Sequence, residues 1–136
     1  MTAENRLGNI TEELARAEEA SRAADLLFRN GLVRDAVSKL YYELLYHVRA
    51  LLLTKELEPR SHEGALRLFS LHFVKPAIFE PQAAHLFSRL MKLREEADYD
   101  PSYVFASGDY AQLSEEAKAL AVRIRDHLKD AGYERK

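Results

Sequence analysis

With 136 residues, 47% of them hydrophobic and 31% charged, and a formal net charge of −2, the chain has the size and balance of one globular domain spanning residues 1–136, and is too short for two ordinary ones. It contains no cysteine, which excludes a disulfide framework and any thiolate metal site and fits a reducing cytoplasm. No secretory pattern is visible, and Glu43, His47 and Arg49 interrupt the longest apolar stretches, so the expectation is a cytoplasmic protein that does not enter a membrane.

Apolar residues recur at helical spacing nearly throughout, which predicts an all-α, up-and-down bundle of about five helices. The first is expected from about Thr11 to Arg29, with Thr11 as N-cap, Glu12 and Glu13 in the first turn and Gly31 just past the end. A second should cover residues 33–55, before Pro59. Val37, Leu40, Tyr41, Leu44, Leu45, Val48, Leu51 and Leu52 form its broad apolar stripe, and Tyr42, Tyr46, Arg49 and Leu53 form another. Only the row Lys39, Glu43, His47, Ala50 and Thr54 stays mostly polar. A helix wrapped in this way is either central in the bundle or shared with a second subunit, and a homodimer is the expectation.

A third helix should open at the N-cap Ser61 and run to about Val74, before Pro76. The fourth should start near Pro81, which suits a first helical position, and end around Ala97. At about 100° per residue, Ala83, Phe87, Leu90, Leu93 and Ala97 share one face, and Arg94 falls between Phe87 and Leu90. His85, Arg89, Lys92 and Glu96 occupy the opposite side, so a polar face was available and Arg94 does not use it. A permanently charged guanidinium among apolar neighbours needs a partner, and Asp98, one turn later, is the nearest acid. Pro101 biases Asp100 away from helix, which would let Tyr99 turn back toward Arg94. Residues 98–108 read as a loop, followed by a last helix from about Asp109 to Ala131, before Gly132.

Other arrangements carry less. His62, Glu63, His72, His85 and Glu43 do not place two imidazoles one helical turn apart, so no metal site is expected. Arg67 and His72 lie about 140° apart on a helix and diverge, with Arg67 facing solvent. No Gly-x-Ser-x-Gly turn presents a nucleophile, and the five glycines form no phosphate-cradling loop, so no nucleotide cofactor fold is expected. Tyrosines such as Tyr41, Tyr42, Tyr46, Tyr99, Tyr103 and Tyr110 could stack single-stranded bases or simply pack at the bundle edge. Residues 22–94 carry twelve bases against seven acids between two acidic ends. That suits a local phosphate contact but not a duplex held by charge alone.

As an ordered set, five segments resemble the stand-alone prokaryotic HEPN domains, named for higher eukaryotes and prokaryotes nucleotide-binding. They are Gly31 to Tyr42, Ala50-Leu51-Leu52-Leu53, Ser61-His62-Glu63-Gly64, Leu68-Phe69 with His72-Phe73-Val74, and Leu93-Arg94 through Ala97-Asp98-Tyr99-Asp100. The resemblance runs from about Ala20 to Leu128. It implies a helical bundle that commonly dimerises and, in many members, metal-independent RNase chemistry by an arginine followed four to six residues later by a histidine. Here the arginine is Arg94, and the histidine position falls on Tyr99. A phenol with a reference pKa near 10 is a poor base at neutral pH, so the resemblance implies a nucleotide or RNA site at Arg94, Asp98 and Tyr99, with His62 as a further contact, more than it implies turnover. At most it implies a metal-independent endoribonuclease acting through Arg94 and Tyr99. It also implies a small nucleotidyltransferase as partner in a toxin–antitoxin arrangement. A purely structural interaction module remains the third reading.

Overall fold

The computed structural model describes residues 2–102 and 105–133, and these form five α-helices. They are α1 (Ala3–Arg29), α2 (Val33–Leu53), α3 (His62–Phe69), α4 (Pro81–Tyr99) and α5 (Ser107–Asp130), with a π-helical turn at Ser70–Val74 extending α3. No strand occurs among the described residues, and no helix among them is long and apolar enough to cross a membrane.

The helix α1 begins two turns earlier than its sequence suggests. Thr2, not Thr11, is the N-cap and accepts the Asn5 backbone N–H at 3.1 Å. Thr11 lies within the helix and donates to the Leu7 carbonyl at 2.8 Å. The reason is packing. Ile10 is fully buried and extends the stripe continued by Leu14, Ala17, Ala20 and Ala24, so the chain ahead of Thr11 gains more as helix than as loop. Three of those residues are alanines, which lets the bulky face of α2 approach closely. Gly31, at φ 77°, makes the reversal between the two helices.

Thirteen of the twenty-one residues of α2 are buried, and the helix touches α1, α3, α4 and α5. Its central place accounts for its apolar breadth without any second subunit. Nor is its polar row a solvated face: Glu43 and His47 are 3% and 2% exposed and meet basic residues of α5. Lys118 Nζ lies 3.6 Å from Glu43, and the Arg125 guanidinium donates to His47 Nε2 at 3.1 Å. The other ring nitrogen of His47 donates to the Glu43 carbonyl at 2.8 Å. A second buried acid, Glu13, is held by Arg16 and Arg49 at 3.3 and 3.4 Å, so each buried carboxylate has a counter-charge.

Phe69 of α3, Phe73 of the π-helical turn, Phe79 of the following connection and Phe87 of α4 form one aromatic cluster. Pro81 does open α4. Its end is set by Arg34, which donates to the carbonyls of Ala97 at 3.0 Å, Asp100 at 2.6 Å and Pro101 at 3.1 Å. A cation is thus fixed where the helix leaves its last carbonyls open.

Candidate functional site

The Arg94 side chain is 12% exposed and donates to Asp98 Oδ2 at 3.1 Å, the partner that the i, i+4 spacing suggested. Its guanidinium carbon lies 5.3 Å from the centre of the Tyr41 ring and 5.9 Å from that of Tyr42, both supplied by α2. An arginine over two phenol faces in a sheltered place gains a cation–π term of about 1–2 kcal/mol. Even so, its Nε is buried without a hydrogen-bond partner.

His62 reaches the same place from α3. Ser61 caps that helix by accepting the Gly64 N–H at 2.9 Å, and a Cβ on Gly64 would come within 3.0 Å of the Ser61 hydroxyl, so the glycine keeps the cap tight. The His62 ring stacks on Tyr41 at 5.4 Å and meets Tyr42 edge-on at 6.0 Å. The two rings flanking the guanidinium therefore flank the imidazole as well. Burial, reinforced by the Arg94 and Arg49 charges and opposed by Glu95, holds His62 below the usual histidine range, which keeps it neutral at pH 7. Its Nδ1 is buried without a partner, as is the Tyr41 hydroxyl, whose ionisation burial pushes well above the ordinary phenol range.

Tyr99 does not turn back toward Arg94. The chain becomes extended only at Asp100, so Tyr99 remains the last helical residue, about 140° around the helix from Arg94 and 77% exposed. Arg94, Asp98 and His62 are thus brought together, and Tyr99 faces away from them into solvent. The tyrosine at position 103 lies outside the described residues. No group of three His, Asp or Glu residues that could hold a metal occurs among the described residues, and Arg67 is exposed. Sequence reasoning missed Tyr41 and Tyr42 as the walls of the site and Arg34 as its anchor. Adjacent tyrosines on a central helix were the available signal for the first two, and Arg34 gave none.

Arg94 Nε, His62 Nδ1 and the Tyr41 hydroxyl are enclosed without partners, and the part of the Arg94 side chain left exposed, 12%, is what an anion with hydrogen-bonding oxygens such as a phosphate can meet. Fold and site together define a small all-helical protein with a sheltered arginine–histidine pair between its helices. The HEPN domain family model matches residues 11–130, and the chain belongs to that family. It is 36% identical over 114 residues to the Methanocaldococcus jannaschii protein named "Putative toxin MJ0605", covering 84% of each chain. It is 34% identical over 87 residues to "Putative toxin MJ0142" of the same organism, covering 64% of this chain and 59% of that protein. A "UPF0332 protein" of Thermotoga maritima is 30% identical over 115 residues, 85% of this chain and 87% of its own.

Proposed function

We propose that this HEPN protein binds RNA or a nucleotide through Arg94, with Asp98, His62 and Tyr99, as a cytoplasmic component of a toxin–antitoxin-type pair. Its partners in this reading are a second copy of the chain and a small nucleotidyltransferase. The observation that carries the reading is the Arg94 guanidinium, almost buried between two phenols and beside His62, with its Nε and His62 Nδ1 both lacking partners. Its guanidinium keeps an exposed edge beside the imidazole, where a phosphate oxygen would gain a charge-assisted hydrogen bond. Arg94 contacts phosphate, Asp98 orients Arg94, and the exposed Tyr99, next in the chain after Asp98, offers a stacking face to a strand that extends beyond Arg94. The relatives named as toxins support the pairing. Binding of fluorescent AMP or labelled RNA, lost in Arg94→Ala with the fold intact by circular dichroism, is the expected outcome. Unchanged binding in that variant would refute the assignment.

A second reading, metal-independent endoribonuclease, is favoured by one specific observation: a neutral imidazole stands beside the arginine although position 99 holds a phenol. In that chemistry the RNA 2′-oxygen attacks the adjacent phosphorus and gives its proton to His62. The bond from phosphorus to the 5′-oxygen breaks, and the 5′-oxygen takes a proton from solvent, leaving a 2′,3′-cyclic phosphate and a 5′-hydroxyl. Labelled RNA incubated with EDTA separates the two readings. Cyclic-phosphate ends that disappear in both Arg94→Ala and His62→Ala establish turnover, and intact RNA leaves the binding reading.

A further inference from the structure

A groove of about 650 Å³ lies between α1 and α2, lined by Arg16, Glu19, Lys39, Tyr42, Tyr46 and two alanines. Tyr42 belongs to both places: its ring neighbours Arg94 and His62 and also the Tyr46 ring, 6.0 Å away. Lys39, Tyr42, Tyr46 and Arg49 recur at three- and four-residue intervals, so they form one strip along α2, about 15 Å long. Tyr42 and Tyr46 are half-buried and Lys39 is exposed, and Lys39 has no acidic partner among the described residues. Rings on a fixed helix beside cations suit unstacked bases with their phosphates, since a duplex keeps its base faces hidden.

We propose that this groove is a second nucleotide subsite, in which Tyr42 and Tyr46 receive the base and Lys39 the phosphate of the nucleotide next to the one at Arg94, with Arg16, paired to Glu13 at 3.3 Å, adding its charge to the groove. The ligand is then a single strand of RNA of two or more nucleotides. This rests on the reading of Arg94 as a nucleotide site. The volume is that of a pocket for one nucleotide-sized ligand. Charge argues against a second copy of the chain as occupant: Arg16, Glu19 and Lys39 line the groove, whereas the centre of a stable subunit interface is depleted of charge. Glu19 is the one acid in the lining and reduces, without cancelling, the attraction for an anion.

Three probes test the subsite on the full chain: a fluorescent single-stranded RNA octamer of mixed sequence, a fluorescent RNA duplex, and a fluorescent AMP analogue. Tyr46→Ala is expected to weaken the octamer about tenfold, with Tyr46→Phe binding as the unsubstituted protein does. Lys39→Ala should lower the slope of log affinity against log salt by about 0.7. Neither change should affect the AMP analogue, Arg94→Ala should weaken both single-stranded probes, and the duplex should bind more weakly than the octamer. Octamer binding unchanged in Tyr46→Ala and Lys39→Ala, with Arg94→Ala still weakening both, overturns the subsite and leaves the Arg94 reading standing. Failure of the unsubstituted protein to bind any probe removes both. A light-scattering mass that halves in Tyr46→Ala assigns the face to an interface between copies and also overturns the subsite. Because Lys39 is a surface side chain, its variant keeps the test decisive if Tyr46→Ala proves unstable.

Discussion

Replacing Arg34 with Met tests whether the last turn of α4, and with it Asp98, is held from outside its own helix. Methionine keeps an unbranched stem in place of the guanidinium, so the change removes chiefly the three hydrogen bonds to Ala97, Asp100 and Pro101. A hydrogen bond from a charged donor is worth about 1.5–3 kcal/mol when sheltered. Two of these three are exposed and count for less, which puts the total near 2 kcal/mol. For a chain of this size the loss corresponds to about 5–8 °C in Tm. Thermal melting measures the global effect, and amide hydrogen exchange should show lost protection confined at first to the end of α4. The affinity of Arg94 for nucleotide should fall by a few fold, because Asp98 sits in the loosened turn. A Tm within about 1 °C of the unsubstituted protein, together with unchanged protection at Ala97 to Asp100, would refute the anchoring role.

Three further outcomes concern the rest of the fold. Burial pushes His47 down to about 4, so on acidification the unfolded chain takes up this proton first; stability should fall by about 3 kcal/mol between pH 6.5 and pH 4. Glu43, raised by burial, works in the opposite sense, and Arg125 blocks protonation of His47 Nε2. Guanidinium titrations at several pH values should show a shallower fall in His47→Gln, and an identical slope would contradict the assignment. Lys118→Met leaves buried Glu43 without its nearest cation and should cost about 3 kcal/mol at pH 7. The deficit should shrink as the pH is lowered and Glu43, raised by burial, takes up its proton, so a pH-independent deficit would count against it. Gly31→Ala, at φ 77°, should cost about 1 kcal/mol, read as a small drop in Tm with helicity retained.

The bundle was legible because helical periodicity is written along every element, and Arg94 stood out because it breaks that periodicity. Asp98 could be named from spacing, since an i, i+4 pair is fixed by the helix itself. Contacts between helices were not legible in the same way. Nothing in the separation of His62 from Arg94 says that α3 will lay its first residue against Tyr41, or that Arg34 will cross to the end of α4. The start of α1 was misplaced because Thr11 followed by Glu12 and Glu13 carries the pattern of a helix start, while the burial of Ile10 in the core, a tertiary effect, extends the helix past it. Glu43 and His47 could be placed on one polar row, but a polar stripe on one helix does not reveal that α5 brings Lys118 and Arg125 to meet it.

The same distinction decides which titratable group stands beside Arg94. Tyr99 occupies the position that spacing selects, yet it points to solvent. His62 is far away in sequence, but it shares both tyrosine walls with Arg94. The two charges are therefore coupled: beyond the effect of burial, Arg94 is the largest influence lowering His62, followed by Arg49, with Glu95 opposing. Removing the guanidinium must then raise His62 toward the ordinary histidine range, whatever ligand the site takes. Imidazole C–H signals followed by NMR across pH should show the His62 midpoint moving upward in Arg94→Gln. They should also show it moving upward, by less, in Arg49→Gln, and downward in Glu95→Gln. A His62 midpoint that ignores all three substitutions would mean that the ring lies outside the field of the arginine and that the site does not exist as a unit.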